Sequence, residues 1–237
     1  MIALVVANST DNDAGYVGDR LVDRGYTLRT ALRDRGEIPR DLASVDAVLL
    51  LGSDWSVHSP VDPDALVAEC ELVKTARSAE VPVLGLCYGA QVVAHALGGR
   101  VSLAARPEVG FVEVDTDDDE LVPAGPWPAF HVDVVDPPPD ARVVARNACG
   151  TQAFLLPGVL AVQFHPEVRP DVLDDWARRF PELLVAAGLD RESLVTEARD
   201  REPAARSAAY ALVDAFLDRV AHVAHVAGQP GRSVSSP

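Results

Sequence analysis

Cys87 stands between an apolar, partly β-branched run at residues 81–86 and a stretch in which Val93, Ala96 and Leu97 recur at helical spacing. Gly85 and Gly89 lie two residues away on either side. The run reads as a buried strand and residues 90–97 as a helix, so the cysteine falls where the chain leaves a sheet and starts a helix. Gly-x-Cys-x-Gly is the thiol counterpart of the Gly-x-Ser-x-Gly turn. There a sharp strand-to-helix bend pushes the central side chain outward, and the glycines let neighbouring backbone come close. The helix start offers free N–H groups and a positive dipole end. Both favour a thiolate, and the same amides suit an oxyanion. A small apolar cysteine packed between two glycines would be spelled the same way, so the pattern alone leaves both readings open.

A second stretch tips the balance. Residues 159–164 form another apolar, strand-like run, followed at once by His165-Pro166-Glu167. Pro166 cannot donate to a ladder, so the strand ends there with His165 at its mouth. Residues two apart on an extended chain point the same way, which lets Glu167 reach the far nitrogen of the His165 ring and fix its tautomer. Cys87, His165 and Glu167 then supply a nucleophile, a base and an orienting carboxylate. Both active stretches sit at the carboxyl ends of strands, where open α/β sheets place their sites.

With these residues in view, the chain resembles the class I (triad) glutamine amidotransferases, and in particular stand-alone members similar to the amidotransferase domain of GMP synthase. The resemblance rests on Gly85-Leu-Cys-Tyr-Gly-Ala-Gln91 and Gln163-Phe-His-Pro-Glu167. Further support comes from Leu51-Gly-Ser-Asp-Trp-Ser-Val57, Arg106-Pro-Glu-Val-Gly110, Pro126-Trp-Pro-Ala-Phe-His-Val-Asp133 and Pro137-Pro-Pro-Asp-Ala141. It runs from the first strand to about Trp176. It implies a flavodoxin-like α/β fold: an open, mostly parallel sheet with helices on both faces.

The order of elements agrees. Residues 2–7 read as a first, central strand, 16–24 as a helix, 26–29 as a short edge strand and 47–51 as a buried strand. Residues 64–79 read as an amphipathic helix with Leu66, Val67, Cys70 and Val73 on one face. Strand–helix alternation of this kind argues for a doubly wound parallel sheet. Past Gly98-Gly99 the rhythm changes to short strand-like runs at 100–103, 111–114, 132–135, 143–145 and 153–156, separated by Pro, Gly and Asp. This predicts a small antiparallel extension. Residues 171–180 read as a helix with Trp176 as an apolar anchor. The expected domain spans residues 1–188, with a C-terminal helical extension at 189–227 and a frayed polar tail at 228–237.

Composition excludes several classes. The chain of 237 residues carries 36 acidic and 21 basic side chains, a formal charge of −15. Such a surface repels phosphate backbones and argues against nucleic acid as a partner. Cys70, Cys87 and Cys149 are too few and too irregularly spaced for a disulfide framework or a zinc site, which fits a reducing cytoplasm. No signal-peptide pattern and no apolar run of about 20 residues appears, so no membrane association is expected.

The resemblance also assigns further site residues. It implies that the Gly52 region and the Tyr88 N–H form an oxyanion hole, and that Gln91 contacts the amino-acid end of the substrate. It implies that the backbone at Gly110 and Phe111 helps to hold that substrate. Where the family has two glycines and a proline, this chain has Gly52-Ser53-Asp54-Trp55, which leaves open which amide turns inward. Trp55 reads either as a mouth residue or as a loop anchor. Among rival histidines, His95 reads as packed on an apolar helix face and His131 as lying near the site entrance. His222 and His225 form a weak i, i+3 pair. The expected activity is hydrolysis of the side-chain amide of L-glutamine to glutamate and ammonia, with no metal or organic cofactor. No P-loop pattern accompanies it, so an ammonia acceptor would be activated by a separate synthetase partner. The alternative is a γ-glutamyl hydrolase or peptidase using the same three residues on another γ-glutamyl compound. A non-catalytic regulatory role is a third reading.

Overall fold

The structure is a computed structural model and describes residues 1–221. The parallel half is built from β1 (Ile2–Ala7), α1 (Gly15–Asp23), β2 (Thr27–Leu32), β3 (Ala47–Leu50), α2 (Pro63–Ser78), β4 (Val83–Leu86) and α3 (Tyr88–Ala96). Then come β5 (Arg100–Thr116), β6 (Gly125–Asp136), β7 (Arg142–Arg146), β8 (Thr151–Leu156) and β9 (Val159–Val162). Helices α4 (Pro170–Arg179), α5 (Pro181–Ala187) and α6 (Arg191–Ala215) close the described chain, with a π-helical turn from Phe216 to Ala221. The sheet order is β2-β1-β3-β4-β9-β8-β7-β5-β6. The five strands from β2 to β9 pair in parallel, and the rest pair antiparallel. β1 is therefore interior but second from the edge rather than central.

Alternation along the buried strands separates two cores. On β1, Ala3, Val5 and Ala7 join Val17 and Leu21 of α1, while Leu4 and Val6 join Leu66 and Val73 of α2 and Val92 and Val93 of α3. β3, β4 and β9 are buried on both faces, as the near-continuous Val/Leu runs require. α2 begins where a strand cannot continue: Pro63 stands at its first turn, and the Asp62 carboxylate accepts from the Asp64 and Ala65 amides, each at 3.1 Å.

The antiparallel part differs from expectation in one respect. The runs at 100–103 and 111–114 are one strand, β5, whose register shifts between Leu103 and Glu108. Pro107 brings no donor to the ladder, and the irregularity absorbs it. β6 then folds back, so that the carbonyl of Pro128 accepts from the His165 amide at 2.8 Å. Beyond residue 188, α6 and the turn after it are part of the main core. Leu212, Val213, Phe216, Leu217 and Val220 pack with α1 and the sheet on the face opposite α2 and α3. His222, His225 and the segment 228–237 lie outside the described residues. Among the described residues no helix is long and apolar enough to cross a membrane.

Candidate active site

Cys87 ends β4 and caps α3 with φ 50° and ψ −109°, a left-handed conformation that L-residues rarely hold. The flanking glycines make this bend possible. A Cβ on Gly89 would fall 2.2 Å from the Leu50 carbonyl oxygen, and one on Gly85 would fall 2.8 Å from the Gly89 carbonyl oxygen. Strand, bend and helix therefore touch backbone to backbone, and the cysteine side chain is left on the carboxyl edge of the sheet.

His165 arrives three residues after β9, the neighbour of β4 in the sheet. Its Nδ1 is 2.8 Å from Glu167 Oε1, and the edge of its ring meets Trp176, with centroids 4.8 Å apart. His165, Glu167 and Cys87 are all buried. Nε2 of His165 has no hydrogen-bond partner and stands toward Cys87. Burial alone would drive the imidazolium to lose its proton. The nearness of Cys87 and, next, Glu167 outweighs it, and the pKa is pushed up from 6.5 to about 10. A histidine that holds its proton beside a sulfur, and beside a carboxylate that fixes its tautomer, is equipped to give that proton away and take it back.

Gly52 stands directly against this pair: a Cβ there would lie 2.8 Å from His165 Cε1 and 3.6 Å from Cys87 Cβ. The Tyr88 amide opens α3, where backbone N–H groups lack intrahelical partners. Gln91 is buried one turn further along α3, and its Oε1 is unpartnered. Gln163 is a site residue that the sequence pattern does not single out. Its Nε2 donates to Cys87 Sγ at 3.6 Å, and its Oε1 accepts from Gln91 Nε2 at 3.5 Å. The available signal is spacing, since Gln163 lies two residues before His165 on an extended segment. Trp176, expected only as an anchor, also forms part of the site through its contact with His165.

Gly52, Cys87, Gln91, His165 and Glu167 open into a cavity of about 530 Å³. Trp55, Phe130, Trp176 and Phe180 supply much of its apolar wall, and Asp11, Asp171 and Asp175 also line it. Trp55 is half-buried and also packs on the second core, so it is mouth residue and anchor at once. Arg179 reaches the cavity but is engaged by Asp11 at 2.8 and 2.9 Å and by Asp175 at 3.2 Å.

Several expectations need correcting. Gly110 and Phe111 do not line the cavity. They lie one strand beyond β6, where Gly110, at φ 96°, faces Leu189 and Leu194, and Phe111 packs under Arg201. The β5–β6 pairing puts Pro128 and Ala129 opposite them and turns the pair toward the C-terminal helices. His131 lines the cavity but is no surface group. It is buried, with Nδ1 2.9 Å from the Asp133 carbonyl oxygen and Nε2 3.3 Å from Glu108. His95 is exposed on the last turn of α3 rather than packed, because that helix buries its Val92–Val93 side. His58 pairs with Asp133 at 3.0 Å. Among the described residues, no cluster of three or more His, Cys, Asp or Glu has metal-binding geometry.

Comparison with known proteins places this geometry. The family model for "Glutamine amidotransferase class-I" matches residues 20–177. A GMP synthase (glutamine-hydrolysing) of Thermomicrobium roseum is 36% identical over 132 residues, which is 53% of this chain and 24% of that protein. The shorter, glutamine-hydrolysing GMP synthase subunit of Saccharolobus solfataricus is 30% identical over 138 residues, 54% of this chain and 71% of that one. The chain thus spans a minor part of the longer relative and most of the shorter one. Among solved structures, a glutamine amidotransferase of Thermotoga maritima superposes with TM-score 0.82 at 22% identity, over 92% of this chain and 98% of that one. Another from Methylobacillus flagellatus gives 0.81 at 19%, over 100% and 98%. Those two likenesses carry the fold, an α/β flavodoxin-like sheet. The family match, which takes in the cysteine bend and the histidine strand end, carries the membership: this chain belongs to the class I glutamine amidotransferases.

Proposed function

We propose that the chain hydrolyses the side-chain amide of L-glutamine through a γ-glutamyl thioester on Cys87. The observation that carries this reading is the strained bend at Cys87 facing a histidine whose other nitrogen is 2.8 Å from a buried carboxylate. The Cys87 sulfur attacks the amide carbon, and the carbonyl π electrons move onto oxygen. Amides at Gly52, its neighbour Ser53 and Tyr88 receive the oxyanion. As the C–N bond breaks, His165 passes its proton to the departing nitrogen and ammonia leaves. His165 then takes a proton from water, whose oxygen attacks the thioester, and glutamate departs as the thiolate is regenerated. Glu167 keeps Nδ1–H in place throughout and stabilises the imidazolium. Gln91, with its free Oε1 in the cavity, is the group that meets the amino-acid end of the substrate, and Gln163 holds the sulfur in line.

The Saccharolobus relative is by name one subunit of a GMP synthase. Here too the recipient of ammonia would be a separate synthetase chain. A second reading, hydrolysis of other γ-glutamyl compounds, is favoured by the cavity, whose 530 Å³ has room for a leaving group larger than ammonia. Ammonia and glutamate release from the purified chain, measured on glutamine beside a panel of γ-glutamyl amides and peptides, decides between them. Preference for glutamine, rising when a partner is added, supports the amidotransferase reading. A strong preference for larger amides, indifferent to any partner, supports the hydrolase. No release from any of them removes both.

A further inference from the structure

Arg33 and Glu69 are fully buried behind the candidate site and take no part in the chemistry just described. At the end of an edge strand, Arg33 would be expected at the surface. Instead all five of its N–H groups are satisfied inside. Nε donates to Glu69 Oε1 at 3.0 Å. Nη1 donates to Asn8 Oδ1 at 2.6 Å and to the Gly52 carbonyl at 3.0 Å. Nη2 donates to the Val6 carbonyl at 3.1 Å and the Leu51 carbonyl at 3.0 Å. One guanidinium thus ties together the carboxyl ends of β1 and β3.

The two carbonyls from consecutive residues carry a consequence. Every peptide here is trans, so each C=O points opposite to the N–H that follows it. With the Leu51 and Gly52 carbonyls drawn to Arg33, the Gly52 and Ser53 amides face the other way. Cys87 and His165 stand against the same α-carbon, since a Cβ on Gly52 would lie 2.8 Å from His165 Cε1 and 3.6 Å from Cys87 Cβ. Neither amide is taken by a protein acceptor among the described residues. Ser53 is held from its side chain as well: its hydroxyl donates to Asn8 Oδ1 at 3.0 Å and accepts from the Trp55 amide at 3.1 Å. The same ion pair reaches the opposite wall. The Tyr88 ring lies under the Arg33 guanidinium at 4.9 Å, and its hydroxyl donates to Glu69 Oε2 at 3.2 Å. Tyr88 is the first residue of α3, directly after Cys87, so the same pair also braces the start of that helix.

We propose that Arg33, seated on Glu69, is a positioning residue for the oxyanion hole: it turns the Gly52–Ser53 amides toward the cavity and spaces them against the Tyr88 amide. This rests on the catalytic reading above. Ser53-Asp54-Trp55 lacks a stiff Gly-Pro pattern, and the buried cation supplies the rigidity. Without it, a peptide flip would put a carbonyl where a donor is needed.

The test separates oxyanion chemistry from general damage. In the full-length chain, Arg33→Lys keeps the charge but loses the planar fork that meets five acceptors. Glu69→Gln is the gentler second variant, should the first fail to fold. Glutamine hydrolysis passes through an oxyanion. Alkylation of Cys87 by iodoacetamide, a displacement at a saturated carbon, does not. The expected result is a fall in kcat of about 10²–10³-fold for Arg33→Lys. Glu69→Gln shows a smaller fall in the same direction, with KM and the alkylation rate of Cys87 unchanged in both. Unaltered kcat in either folded variant overturns the proposal. A parallel loss of turnover and alkylation also overturns it, by showing damage to the whole site. A wild-type chain that alkylates at Cys87 but turns over neither glutamine nor any γ-glutamyl amide overturns the catalytic reading, and this inference with it.

Discussion

Gly52→Ala probes how closely the site is packed. The added Cβ would lie 2.8 Å from His165 Cε1 and 3.5 Å from Nδ1, where ordinary contact begins near 3.4 Å. Relief requires about 0.6 Å of movement, and neither side yields easily. The ring is held by Glu167 at 2.8 Å and by the Trp176 ring at 4.8 Å, and the Gly52 carbonyl is held by Arg33 at 3.0 Å. Overpacking of this kind costs about 1–3 kcal/mol, so the variant should still fold. A displacement of this order at a catalytic base costs up to about 10²-fold in rate. The assay is ammonia release at saturating glutamine, with thermal melting alongside. Gly36→Ala is the control: a Cβ there meets nothing within 4 Å, but φ is +67°, so its only penalty is backbone strain and it keeps its kcat. A folded Gly52→Ala with full kcat would refute the claim that Gly52 and His165 share the site at contact distance.

Other outcomes follow from the same geometry. Cys87→Ala and His165→Ala should each abolish glutamine hydrolysis, while Glu167→Gln should leave a remnant roughly 10⁴-fold down, read by a sensitive ammonia assay. Because Cys87 is the strongest influence raising the His165 pKa, Cys87→Ala should let the imidazole titrate well below about 10, which NMR of ¹⁵N-labelled histidine would report. The sign for stability follows: a pKa raised from 6.5 contributes stability that is complete below 6.5 and is lost as pH rises through about 10. Wild-type melting temperature should therefore fall across that interval more steeply than that of Cys87→Ala. Gly89→Ala should destabilise the fold outright, since its Cβ would meet the Leu50 carbonyl oxygen at 2.2 Å and backbone on both sides must move.

Much of the site is legible in the chain because its constraints are local. The bend at Cys87 is written in two glycines and the His165–Glu167 pairing in a spacing of two, and both survive any change in distant packing. The misplaced residues depend on how far strands curl. Gly110 and Phe111 sit on the right hairpin, but the pairing of β5 with β6 puts Pro128 between them and His165, and nothing within residues 100–116 records that. His131 reads as an entrance residue in the sequence because Glu108, the carboxylate that stands beside it, comes from another strand. Arg33 is the extreme case. Its five acceptors come from three separate segments, the ends of β1 and β3 and helix α2, so its burial exists only once the sheet is assembled. A helical extension after residue 188 is legible in the sequence, but the place of α6 in the main core, against α1, is not.

The central claim is that Cys87 carries the γ-glutamyl group. Acid quenching during steady-state turnover of glutamine, followed by proteolysis and mass spectrometry, looks for it directly. A glutamyl adduct, labile to hydroxylamine, is expected on the peptide bearing Cys87 and on neither Cys70 nor Cys149. Turnover without any adduct on Cys87, or with the adduct on another cysteine, would contradict the claim.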